Sequence, residues 1–121
     1  VVTGPVGSGD AVLLRAARPL AGVQSLMVNR GPIDRTRLET TLLAGPGRLA
    51  RALGMTLAHN GLCFDRADLK LVDFGREIGR DEVVRTPRIG ISKAKEALRR
   101  FHLRDTKWLS RRPFSKPKRK A

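Results

Sequence analysis

The sequence predicts an α+β protein. Three observations carry that expectation: short apolar runs of strand length, apolar positions at helical spacing elsewhere, and Gly or Pro at the joints between them. The chain has 121 residues, of which 40% are hydrophobic. That is enough for one domain with a modest core.

Taken in order, Gly4 to Gly9 is a loop by composition. No Gly-Lys-Ser/Thr follows it, which excludes a nucleotide-triphosphate loop. Ala11 to Ala17 is a short, nearly continuous apolar run and is expected to form a buried strand, with Arg15 inside it. A charge there must be paired, reach a site, or lie on an exposed face. Val23 to Val28 reads as a short helix stopped by Gly31-Pro32. Asp34 is placed to cap a second helix from Arg35 to Leu43, with Leu38, Leu42 and Leu43 at helical spacing. Gly45-Pro46-Gly47 leads into a third helix ending at Gly54, whose Leu49, Ala50, Ala52 and Leu53 suit a core. The second and third helices are expected to form an αα-hairpin. Its Pro-containing turn is a weak match to a helix-turn-helix reader of DNA.

Beyond the His59-Asn60-Gly61 turn, Asp68 to Phe74 alternates as a strand does. Asp73-Phe74-Gly75 repeats a kinase triplet, but the other kinase motifs are absent and the match reads as coincidence. Val83 to Thr86 and Arg88 to Ile91 read as strand on either side of Pro87. Ser92 to Arg100 reads as a short helix, and Phe101 to Arg104 as a last strand. Residues 111–121 form a basic tail expected to be disordered, with six Lys or Arg among them.

Charge narrows the function. Against 11 Asp and Glu stand 25 Lys and Arg, a formal net charge of +14. That excess points to a polyanionic partner. No apolar run has the length of a membrane span, and no basic helix carries bulky apolar anchors, so no membrane partner is expected. The opening residues lack the pattern of a signal peptide, and a start at Val1 without Met reads as a processed chain or a fragment. Cys63 is the sole cysteine, which fits a reducing compartment. His59 and His102 have no Cys or carboxylate cluster beside them, and neither a metal nor a cofactor is expected.

The Gly45-Pro46-Gly47-Arg48 stretch has two readings. A helix start presents unpaired N–H groups and suits a phosphate, with Arg48 and Arg51 on one face. The plainer reading is an amphipathic helix with a glycine-rich lead-in. No carboxylate pair, Ser-His-Asp or Cys-His set is apparent. There is no Tyr and only one Trp, Trp108, so base-stacking platforms are scarce.

Several segments in series resemble the alkyladenine (3-methyladenine) DNA glycosylase family. These are Asp10 to Ala16 with Pro19-Leu20-Ala21-Gly22, then Gly45 to Leu49 with Ala52-Leu53-Gly54, then Asn60-Gly61-Leu62. Thr86 to Ala94 follows, and Phe101 through Ser110 closes the series. Each motif alone is weak, but their order and spacing are fairly specific. The resemblance implies that residues 1–110 are the C-terminal part of a glycosylase domain. The expected fold is a single compact α+β domain with a curved, mainly antiparallel sheet and short helices. The implied activity is base excision repair: flipping alkylated or deaminated purines from double-stranded DNA and hydrolysing the N-glycosidic bond without a metal. A monomer in the cytoplasm or nucleoid, or in a eukaryotic nucleus, goes with that reading.

Residue by residue, the resemblance gives Arg15 a role in holding the nucleophilic water and the Ile89 carbonyl a contact to that water. Gly90 permits close approach of DNA. The Gly45-Pro46-Gly47-Arg48 helix start and Lys93 fall where the DNA backbone is met, and Arg51 joins them by sharing a helix face with Arg48. The family's general-base Glu, pocket His and Tyr residues lie upstream of Val1, and its pocket Asn falls just before Val1. His102 stands where Tyr is usual, after a shortened linker from Glu96 to Phe101. A chain without the general base is expected to have little or no glycosylase activity. The alternative is a noncatalytic basic DNA- or RNA-binding protein.

Overall fold

The computed structural model describes residues 1–65 and 69–110. The α+β class holds: three short helices and a two-stranded antiparallel sheet. The fold divides into two compact units, the first comprising Val1–Gly61 and the stretch from Lys107, the second Leu62–Thr106.

The first unit carries α1 (Val23–Arg30), α2 (Leu38–Thr41) and α3 (Pro46–Ala52). Helix α1 ends as expected at Gly31, whose φ of 76° suits glycine and lets its N–H reach the Met27 and Val28 carbonyls. Asp34 also caps as expected: its carboxylate accepts from Thr36 N–H at 2.9 Å. The cap opens a 3-10 turn, Arg35–Arg37, and α2 follows it as a single turn. Leu42, Leu43, Leu49 and Ala52 form the buried core, with Val23, Leu26, Met27, Ile33 and Leu38 packed against it. Each fully buried leucine contributes about 1.5–3 kcal/mol.

Two expectations for this unit need correction. The helical partner of α3 is α1 rather than α2, so no αα-hairpin forms. The Asn29 amide donates to the Ala52 carbonyl at 2.8 Å across that packing. Ala11 to Ala17 is also not a buried strand. Among the described residues its strand-like pairing is confined to single bridges, Val2 with Ala11 and Ala16 with Ala44, and its Ala17 packs against the core. Leu13 remains 73% exposed, and Val12 and Leu14 are exposed beside it. A strand needs a continuous ladder to complete its hydrogen bonds, and no such partner runs beside this segment among the described residues.

The second unit carries β1 (Val83–Thr86) and β2 (Arg100–Leu103), paired antiparallel with Arg85 opposite Phe101 and Thr86 opposite Arg100. Both strands fall within a residue or so of expectation. A 3-10 turn, Arg80–Glu82, leads into β1. There Glu82 accepts the Gly79 N–H and pairs with Arg76, each at 3.0 Å. Three expectations fail here. Leu69 to Phe74 is not a strand, and Asp68 lies outside the described residues. The Asp73 side chain instead accepts the Gly75 N–H at 2.8 Å, a local turn that competes with a ladder. Arg88 to Ile91 bends away after Pro87, with Gly90 at φ 77°. Ser92 to Arg99 makes turns rather than a helix, and Ala94 at φ 50° interrupts any helical run. The basic tail, residues 111–121, lies outside the described residues.

Candidate nucleic-acid interface

The first unit gathers Arg15, Gly47, Arg48 and Arg51 of the predicted site. Gly45 adopts φ 128° and ψ 145°, a conformation open essentially to glycine, and this turns the chain into Pro46 at the start of α3. In that turn the Gly45 N–H donates to the Arg15 carbonyl at 2.8 Å. The apolar segment containing Arg15 is therefore fastened directly to the lead-in of α3. Arg15 itself is half-buried, while Gly47, Arg48 and Arg51 are exposed.

Arg48 is anchored as well as exposed. Its Nη1 donates to the Thr40 carbonyl at 2.8 Å and to the Ala44 carbonyl at 3.3 Å. Sequence reasoning missed a neighbour, Arg30, in the last turn of α1. Its Nη2 donates to the Thr41 carbonyl at 3.0 Å and its Nε to the Leu42 carbonyl at 3.1 Å. Burial pushes the Arg30 pKa down, and the positive charges of Arg48 and Arg51 push it further the same way. A basic residue just before Gly31-Pro32 was the available signal, but its acceptors lie 11 and 12 residues further along the chain.

The remaining predicted site residues belong to the second unit. Ile89 and Gly90 sit in the bend after β1, with Ile89 37% exposed and open space beside the Gly90 Cα. Lys93 is exposed in the turn that follows. Sequence reasoning also missed the Arg85 guanidinium stacked 5.2 Å from the Phe101 ring centre, on a cross-strand pair whose phenyl is about half exposed. On the adjacent cross-strand pair, Arg100 lies opposite Thr86, is 2% exposed, and donates from its Nη1 to the Thr86 hydroxyl at 3.4 Å.

His59 closes a capping turn: the Thr56 N–H donates to its Nδ1 at 3.0 Å. His102 Nδ1 lies 3.0 Å from the Leu103 carbonyl. Among the described residues, no group of three or more His, Cys, Asp or Glu is placed to hold a metal, and no helix is long and apolar enough to cross a membrane.

The fold and these side chains define a strongly basic α+β protein with exposed guanidinium groups, a class suited to polyanions. The family model for methylpurine-DNA glycosylase matches residues 1–107, and the chain belongs to that family. Relatives named as 3-methyladenine DNA glycosylases are similar over most of the chain. In Rhodopseudomonas palustris strain CGA009 the identity is 44% over 114 residues, covering 94% of this chain and 52% of the relative. In strain BisB18 it is 45% over 115 residues, covering 95% and 54%. In Francisella tularensis strain WY96-3418 it is 38% over 114 residues, covering 93% and 57%. The chain thus spans about half the length of these curated relatives.

Proposed function

We propose that the chain is the C-terminal part of a base-excision-repair DNA glycosylase, acting on double-stranded DNA that contains alkylated or deaminated purines. The family match over residues 1–107 carries this reading. In the whole protein these residues would form part of a single domain around a curved sheet. In the reaction, water adds at the sugar C1′, the C1′–N bond breaks, and the flipped purine leaves with the bonding electrons. Arg15 and the Ile89 carbonyl hold that water. Gly47, Arg48, Arg51, Gly90 and Lys93 meet the DNA. The close tie between the Arg15 carbonyl and the Gly45 N–H, 2.8 Å, supports a common role for Arg15 and the start of α3.

A general base must accept the water's proton, and the resemblance matches the family's glutamate to none of these 121 residues. Residues 1–121 alone therefore bind duplex DNA and leave the glycosidic bond intact. The protein acts as a monomer in the cytoplasm or nucleoid, or in a eukaryotic nucleus.

The net charge of +14 favours a second reading, a noncatalytic basic DNA- or RNA-binding protein. Purified chain is incubated with duplexes containing hypoxanthine or 3-methyladenine, and abasic sites are revealed by alkaline cleavage. Binding that prefers lesion or abasic duplex, without excision, is the expected result. Excision at the rate of a complete family member overturns the proposed inactivity. Salt-dependent binding indifferent to lesions favours the second reading, and no binding to duplex DNA removes the first.

A further inference from the structure

We infer that Arg30 completes, with Arg48 and Arg51, a three-guanidinium site for the phosphodiester backbone of duplex DNA on the first unit. This deepens the DNA-binding reading above and rests on it. It adds a residue and changes the mode of contact from a helix terminus to a fork of guanidinium groups.

Helix α3 has seven residues, too short for its terminus to carry the contact alone. The side chains are better placed. Arg30 and Arg48 both reach into the same stretch of backbone, Thr40 to Ala44, and hold its carbonyls at 2.8–3.3 Å. Arg51 comes in from α3, its Nη2 4.0 Å from where a Cβ on Gly31 would stand, directly after Arg30. None of the three is in an ion pair among the described residues, where Arg76–Glu82 supplies one instead.

A guanidinium has five N–H donors. Arg30 and Arg48 each commit only part of theirs to carbonyls, and Arg51 commits none to any hydrogen bond among the described residues. The remaining donors form planar forks, the geometry that meets phosphate oxygens in pairs. Three like charges held together without a carboxylate repel one another, and this repulsion adds to burial in lowering the Arg30 pKa. A bound anion relieves that repulsion. The backbone carbonyls fix where two of the forks sit, so little side-chain freedom remains to be lost on binding.

The test uses fluorescence anisotropy with a labelled, undamaged DNA duplex at several KCl concentrations. Arg51→Gln is expected to weaken binding about five- to tenfold and to reduce the salt slope by about one. Arg30→Lys keeps the charge but loses the fork, so affinity falls several-fold with the slope unchanged. Lys70→Gln, an exposed charge in the second unit, changes affinity less than about twofold. Inorganic phosphate competes no better than its ionic strength explains. If Arg51→Gln and Arg30→Lys bind like Lys70→Gln, the site is refuted while the wider DNA reading stands. If the unmodified chain does not bind duplex at all, both fall. Should circular dichroism show Arg30→Lys unfolded, Arg51→Gln decides, because that guanidinium holds no carbonyl in place.

Discussion

Leu42→Ala tests whether the small core of the first unit sustains the interface. Leu42 is 0% exposed and lies among Leu43, Leu49 and Ala52. The substitution removes three carbons, about 2.4 kcal/mol of transfer free energy at about 0.8 kcal/mol per methylene. A residual cavity adds about 1 kcal/mol, for a total near 3–4 kcal/mol. A unit of about 60 residues has only about 3–9 kcal/mol to lose. Leu53→Ala is the control, since Leu53 is 43% exposed and should lose about 1 kcal/mol. Urea unfolding followed by far-ultraviolet circular dichroism reads the difference. At a slope of about 1.5 kcal/mol/M, the Leu42→Ala midpoint falls by about 2 M. A loss below about 1 kcal/mol, or an equal loss for Leu53→Ala, refutes the assignment of Leu42 as the centre of this core.

Two glycines at the start of α3 should respond with opposite signs. Gly45→Ala forces a side chain into φ 128° and loses about 1–3 kcal/mol by urea unfolding. Gly47→Ala meets no atom within 4 Å and gains about 0.5 kcal/mol, yet weakens duplex binding by anisotropy if the DNA backbone approaches there. The Asp34 carboxyl is held below its ordinary value of 3.8, first by the Thr36 hydroxyl and then by the Thr36 N–H. Its folded pKa is depressed, so its contribution is present above the unfolded value of about 3.9 and is lost as pH falls through the folded one. The Thr36 amide resonance should therefore titrate with a midpoint below pH 3.8, and a midpoint above that value rejects the cap's electrostatic role.

What was legible in the sequence was encoded within a few residues. Gly31 ends α1, Asp34 caps the turn before α2, and Pro46 begins α3, each by local backbone chemistry. The β1 and β2 segments were legible by their β-branched and aromatic residues and by Pro87 beyond β1. Ala11 to Ala17 and Leu69 to Phe74 were misread because an apolar run becomes a strand only beside a partner, and their patterns do not encode one. Ser92 to Arg99 was misread because Ala94 departs from helical φ, which its residue type does not announce. The hydrogen bond from the Gly45 N–H to the Arg15 carbonyl was not legible, because it joins two backbone groups 30 residues apart. Arg30 was missed because its partners are backbone carbonyls, which every residue has.

Those carbonyls explain why fold and interface are one problem in this unit. A single-turn helix such as α2 satisfies few of its own carbonyls, so its end needs donors from elsewhere. Arg30 and Arg48 supply them from α1 and α3, the helices that sandwich the core against this segment. Leu42 takes part in both arrangements, with its side chain in the core and its carbonyl on the Arg30 Nε. Loosening the core at Leu42 would therefore release a guanidinium as well as open a cavity. Duplex affinity should fall with stability in Leu42→Ala, and fall while stability is kept in Arg51→Gln, whose exposed side chain holds no backbone carbonyl. That contrast separates the part of the arginine cluster that builds the fold from the part left for the anion.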